Sequence, residues 1–257
     1  MAISTAVVKF GSSVLRSEAD LPVAVREVKA LVDGGARVLV VVSAFGDTTD
    51  RLLRQARDHA AEPEPGALAA LLATGEAVSA ALLGIALDRA GVATVVLDPA
   101  QMGLRAEGDR LDARPCAVNA RRLAEELESR VVVVPGFVGR GPGGVTSLLG
   151  RGGSDYTALF LAARLGVQRC VLYKDVDGLY TEDPAASDDA ERYEHASWRT
   201  AARVGGRVVQ EKAVVYAEFE RLAFEITAPS AGTRTLVGPG PDRLATTAKA
   251  LAAEVCA

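Results

Sequence analysis

Short β-branched apolar runs alternate with longer amphipathic stretches from the start of the chain to Tyr173. The runs Thr5 to Lys9, Arg37 to Ser43, Ala93 to Leu97, Arg130 to Val134 and Arg169 to Tyr173 read as strands. Between them, apolar residues at the helical period predict helices over about 20–33, 48–60, 66–91, 117–128 and 155–166. Gly34-Gly35 and Gly91 stand where helices should stop. This alternation predicts an α/β fold with a largely parallel sheet covered by helices. Glu62-Pro63-Glu64-Pro65-Gly66 is a loop-length break inside the pattern and not a domain boundary.

Beyond about residue 167 the pattern changes to a strand, a polar loop over 174–190, a helix, short strands at 223–227 and 233–237, and a last helix. That stretch is a candidate second lobe for a nucleotide, because ligands sit at strand carboxyl ends where crossovers diverge.

Composition narrows the function classes. The 257 residues suffice for one large α/β domain, and 49% hydrophobic with 24% charged residues excludes a disordered chain. A formal charge of −4 without a dense Lys/Arg run leaves no footprint for nucleic acid. Cys116, Cys170 and Cys256 lack CxxC spacing, which fits buried thiols in a reducing compartment. His59 and His195 are too few and too far apart for a histidine metal site or nucleophile relay. No cleavage pattern follows MAISTAVVKF, and no run of about 18 consecutive apolar residues occurs, so neither secretion nor membrane insertion is indicated. The expected location is the cytoplasm.

Four motifs are candidates for chemistry. Lys9-Phe10-Gly11-Ser12-Ser13-Val14 follows the first strand; its glycine admits an anion to the backbone and its lysine adds a point charge, although an ordinary polar turn reads the same way. No Walker A pattern occurs. Gly139-Arg140-Gly141-Pro142-Gly143-Gly144 matches GxGxxG, but Pro142 and a second glycine turn favour a flexible surface loop over a dinucleotide site. Gly150-Arg151-Gly152-Gly153-Ser154-Asp155 brings glycines, a guanidinium and a helix start together, which suits an anionic ligand; Ser154 or Asp155 can also simply cap the helix. Lys174-Asp175-Val176-Asp177-Gly178-Leu179-Tyr180-Thr181-Glu182-Asp183-Pro184 follows a strand where a ligand loop would sit, and lacks the calcium-loop pattern.

Taken in order, KFGSSV (9–14), VSAFGDTTDRLL (42–53), ATGEAVSAALL (73–83), PGFVG (135–139), GRGGSDYTA (150–158) and DVDGLYTEDP (175–184) resemble the amino-acid kinase superfamily, and within it the catalytic domain of aspartokinases. The resemblance implies a three-layer α/β/α sandwich around a central, mainly parallel sheet. It implies a single domain over 1–257, with an amino-acid lobe to about 166 and a nucleotide lobe from about 167. It also implies ATP and Mg²⁺, and phosphorylation of the L-aspartate side-chain carboxylate.

Carried over by position, Lys9 would neutralise the transferring phosphoryl group, with Gly11 and Ser12 as backbone contacts, and Asp155 would orient Lys9 or assist at the phosphoryl centre. Ser43 and Thr49 would line the substrate side. Glu76 would hold the substrate ammonium, Phe137 would wall the pocket, and Arg151 with Ser154 would bind a carboxylate. Lys174, Asp175, Gly178, Tyr180 and Asp183 would surround the nucleotide. A carboxylate nucleophile is already ionised at neutral pH, so positioning and charge neutralisation suffice and no catalytic histidine is required. A homodimer is the default assembly for such kinases.

The sequence departs from the family pattern in four places. KFGSSV is one small residue short of KFGGTSV and reads partly like the KxGSS turn of glutamate 5-kinases. Asp98 to Gly103 lacks the usual Thr-Gly, and no Arg follows Asp183-Pro184. In Gly205 to Lys212 the family's GAKVLHPR has lost its Lys, His and Pro, leaving Arg207 or Lys212 to face a phosphate. These departures keep two alternatives open, a same-fold kinase for another carboxylate or small molecule, and a weakly catalytic nucleotide-binding subunit. Aspartokinases usually carry ACT domains; with the sequence ending at Ala257, the expectation is a catalytic domain without them and no feedback inhibition by lysine or threonine.

Overall fold

Val7 and Val8, side by side in the first strand, pack on opposite faces of one sheet, and the same alternation organises the whole core. The structure, a computed structural model, describes residues 4–206 and 208–245. Its strands are β1 (Thr5–Phe10), β2 (Arg37–Val42), β3 (Thr94–Val96), β4 (Arg105–Gly108), β5 (Ala113–Ala117), β6 (Val131–Pro135), β7 (Val138–Arg140), β8 (Thr146–Leu148), β9 (Arg169–Tyr173), β10 (Tyr193–Ser197), β11 (Phe224–Thr227), β12 (Thr235–Gly238) and β13 (Arg243–Leu244). The helices are α1 (Leu21–Asp33), α2 (Thr48–His59), α3 (Pro65–Arg89), α4 (Ala120–Leu127), α5 (Gly153–Leu165), α6 (Trp198–Val204) and α7 (Glu211–Phe219).

Among the described residues, nine strands form the main sheet in the order β13-β10-β12-β11-β9-β1-β2-β6-β3. Every pairing from β11 to β3 is parallel, and only β11 with β12 and β10 with β13 run antiparallel. Val8, Val38, Val40, Val42, Val133 and Val171 lie against Ala24 and Val28 of α1 and Leu83 and Leu87 of α3. Val7, Leu39, Val41, Val132, Val134 and Leu172 lie against α4, α5 and α7 on the other face. Each fully buried Val or Leu contributes roughly 1.5–3 kcal/mol relative to exposure. The result is the expected three-layer α/β/α sandwich with a mainly parallel central sheet.

A second sheet, ordered β5-β4-β7-β8, is absent from the sequence reading. Its strands are short and polar, with Pro115 inside β5, so they carry no apolar alternation to detect. The Gly139–Gly144 stretch read as a flexible loop is instead the end of β7 and the turn of an antiparallel β7–β8 hairpin. The sequence pattern also gives no strand at β10 or β13, and the helix it predicts after residue 190 is two helices, α6 ending at Val204 and α7 beginning at Glu211. The last predicted helix and Cys256 lie outside the described residues. Cys170 is buried, but Cys116 is exposed because its β5 is half open to solvent.

The 25-residue α3 is long and apolar enough, by length and composition alone, to cross a bilayer. In the fold it packs on β6, α2 and β8, and it buries Glu76 and Ser79 with its leucines. It is the core helix of the domain.

Candidate active site

The parallel strands from β11 to β3 end on one edge, and the chemistry-bearing residues gather there. Lys9 is opposite Leu172 in the β1–β9 register. Side chains two apart share a face, so Lys174, just past β9, joins Lys9 on the face covered by α5. The first turn of α5 supplies Asp155.

These three side chains make one buried cluster. The Lys9 ammonium lies 2.7 Å from Asp155 Oδ1, and Lys174 Nζ donates to Asp155 Oδ1 at 3.0 Å and Oδ2 at 2.8 Å. Relative exposures are 5% for Lys9, 4% for Asp155 and 7% for Lys174, so the charges interact with little solvent screening. Burial works to raise the Asp155 carboxyl, but the ammonium groups of Lys174 and Lys9 outweigh it and hold the carboxyl below its ordinary value. Burial pushes Lys174 down to about 8, with Asp155 opposing and Lys9 adding to the fall. Two ammonium groups against one carboxylate leave a net positive charge that suits a phosphoryl group.

Lys9 and Asp155 line a cavity of about 560 Å³, and Lys174 joins it through its contact with Asp155. Ser12, Ser43, Thr49, Glu76, Phe137, Arg151 and Ser154 all line it, so every substrate-side candidate from the sequence meets here. Glu76 is buried on α3; its Oε1 accepts from the Ala44 N–H at 3.2 Å, and its Oε2 has no hydrogen-bond partner among the described residues. Burial raises the Glu76 carboxyl to about 7 despite the Ala44 hydrogen bond and the nearby Lys9 charge. Arg151 is exposed at the rim and, among the described residues, its guanidinium has no ion pair. Asp50, Arg57 and an apolar wall of Leu53, Leu68, Leu72, Leu111 and Leu148 also line the cavity and are not among the sequence candidates.

Local backbone explains this convergence. Gly11 leaves room for Lys9: a Cβ there would meet the Lys9 Nζ at 2.8 Å. Gly150 and Gly152 both have positive φ, 64° and 73°, and so turn the chain tightly on either side of Arg151. The α5 N-cap is Gly152, without a side-chain cap, so Ser154 and Asp155 lie inside the first turn and neither caps the helix. Phe137 also has positive φ, 65°, which costs a bulky residue about 1–3 kcal/mol. Its N–H donates to Thr157 Oγ1 at 3.1 Å and its carbonyl accepts from Leu149 at 2.7 Å, which holds it there.

The 175–183 candidates follow β9 and do not line the cavity. Asp175 is exposed; Tyr180 donates to Asp177 at 2.7 Å; Gly178 is packed against Thr235 and Arg192. Asp183 accepts from the Ala185 N–H at 2.9 Å, within its own turn. Asp177, which the sequence reading did not select, ties this loop to Thr233. Arg207 lies outside the described residues. Lys212 is engaged by Asp112 and the Leu149 carbonyl.

A family model described as the amino acid kinase family matches residues 4–223. The chain belongs to the amino acid kinase family. An aspartate kinase of Stutzerimonas stutzeri is 36% identical over 215 residues, 82% of this chain and 52% of that protein. An aspartokinase of Thermus thermophilus is 40% identical over 188 residues, 72% of this chain and 46% of that one. Among solved structures, an aspartate kinase from Synechocystis matches with TM-score 0.82 and 31% identity, covering 93% of this chain and 40% of its own. This amino acid kinase chain therefore spans about half the length of the curated relatives it matches.

Proposed function

We propose that this chain transfers the γ-phosphoryl group of ATP to the β-carboxylate of L-aspartate, giving ADP and 4-phospho-L-aspartate. One observation carries the reading: the cavity is lined by a buried Glu76 whose Oε2 and an Arg151 whose guanidinium have no partner among the described residues, and by Lys9 of the net positive Lys9–Asp155–Lys174 cluster. An amino dicarboxylate offers the complementary charge to each. The names of the relatives support the same acceptor.

In this reading Glu76 accepts from the substrate ammonium, and Arg151 with Ser154 holds the α-carboxylate. Ser43, Thr49 and Phe137 shape the space between. The β-carboxylate, ionised at neutral pH, attacks the γ-phosphorus; the new O–P bond forms as the bond to the ADP oxygen breaks, and ADP keeps that electron pair. Lys9 and Lys174 neutralise charge on the moving phosphoryl oxygens, while Asp155 fixes the spacing of the two ammonium groups. Gly11 and Ser12 approach the phosphates through the backbone. The nucleotide lies toward Lys174, Asp175, Gly178, Tyr180 and Asp183, which divides the domain into an acceptor lobe and a nucleotide lobe about β1 and β9.

Mg²⁺ belongs to this chemistry as the companion of the ATP phosphates, where it supplies charge neutralisation. Among the described residues no group of three or more His, Cys, Asp or Glu side chains could hold a metal, and both Asp155 oxygens face lysines. A cation held mostly by the ATP phosphates and water, with at most a carboxylate or two from the protein, would suit these residues.

ADP release from Mg-ATP, measured with L-aspartate and separately with L-glutamate, tests the acceptor. Turnover with aspartate supports the proposal. Turnover with glutamate alone moves the site to another carboxylate.

A further inference from the structure

The Gly150–Gly152 turn that carries Arg151 is held from outside the cavity by α7. Lys212 Nζ lies 2.7 Å from Asp112 Oδ1 and also donates to the Leu149 carbonyl. Leu149 is the residue before the turn, and it forms an isolated antiparallel bridge with Asp112. The Lys212 ammonium therefore joins three parts of the chain, α7, the 109–112 segment and the approach to the turn. Its fit to the turn is close: a Cβ at Gly150 would lie 2.8 Å from Lys212 Nζ and collide with Asp112. Gln210, at the N-cap of α7, closes the other side, since a Cβ at Gly152 would collide with its side chain.

We propose that Lys212 is a positioning residue for acceptor recognition: by tying Leu149 and Asp112 together it fixes the turn that holds Arg151 over the cavity. Both of its contacts are to protein groups that flank the turn, so its route to Arg151 runs through the backbone of Leu149. Asp112 is largely exposed, so the pair itself adds little stability; its effect lies in fixing a two-glycine turn with much freedom to lose. The segment in which this chain departs most from the family pattern thus braces the acceptor side. The kinetic part of this proposal rests on the reading of Arg151 as a carboxylate ligand.

The test compares Lys212→Met, Lys212→Arg and Asp112→Asn with the unmodified chain by two measurements. Amide hydrogen exchange, which needs no substrate, should speed up across residues 149–154 in Lys212→Met and much less in Lys212→Arg. Kinetically, Lys212→Met should raise KM for L-aspartate about tenfold, with kcat and KM for ATP nearly unchanged, and Asp112→Asn should fall between. Unchanged exchange in Lys212→Met, or a rise confined to KM for ATP, overturns the proposal. If the unmodified chain does not use aspartate, the acceptor reading fails while exchange still decides whether Lys212 fixes the turn. Should Lys212→Met not fold, Asp112→Asn carries the same exchange comparison.

Discussion

The Lys9 ammonium lies 2.7 Å from the Asp155 carboxylate, and both groups are almost sealed from water. Asp155 also takes both of its contacts to Lys174, so one carboxylate balances two lysines. Asp155→Asn would leave two ammonium groups buried side by side. Urea unfolding should show a loss of about 3–5 kcal/mol, and kcat should fall at least ~100-fold. A variant within twofold of the unmodified chain in kcat would remove Asp155 from the catalytic cluster.

Gly11 should be sensitive for a different reason. The Cβ of Gly11→Ala would press on the Lys9 ammonium at 2.8 Å, which is the far end of a flexible chain and can move. The fold should tolerate this with little change in melting temperature, while displacement of the charge lowers kcat by about 10–100-fold. Equal turnover in Gly11→Ala would show that the Lys9 position is not critical.

Glu76 makes stability and binding depend on pH in opposite directions. Its folded value is about 7 against the ordinary 4.5, chiefly because it is buried. The folded chain thus holds this proton more tightly than the unfolded chain. The contribution to stability is fully present below the ordinary value and is lost as pH rises through about 7, on the order of 3 kcal/mol in all. Glu76→Gln should flatten that part of a urea-stability profile taken between about pH 5 and 8. A substrate ammonium needs the ionised form, so affinity for L-aspartate should rise over the same interval. Calorimetry near pH 6 in two buffers of different ionisation heat should detect proton release on binding; no release would separate Glu76 from the ammonium.

How much of this could be read from residues alone follows from the physics of each part. The central strands are legible because Val7, Val8, Leu39 and Val40 repeat an apolar pattern that few other structures satisfy, and α1, α2, α3 and α5 fall within a few residues of their predicted bounds. The β4–β5 and β7–β8 strands are not legible, since Arg105 to Gly108 and Ala113 to Ala117 bury few side chains and pair mainly through their backbones. GRGGSD stands out because glycines, a guanidinium and a helix start coincide there, whereas KFGSSV alone reads equally as a polar turn. The Lys174–Asp155 contact is hidden, because it depends on the register of β9 against β1. Lys212 and Asp112 are one hundred positions apart and meet only through the fold.

The most direct measurement of the central claim is formation of aspartyl hydroxamate when the purified chain is incubated with Mg-ATP, L-aspartate and hydroxylamine, beside a Lys9→Ala control. The account predicts hydroxamate in step with ADP, reduced at least ~100-fold in the control. ADP release without hydroxamate, or equal hydroxamate from Lys9→Ala, would contradict it.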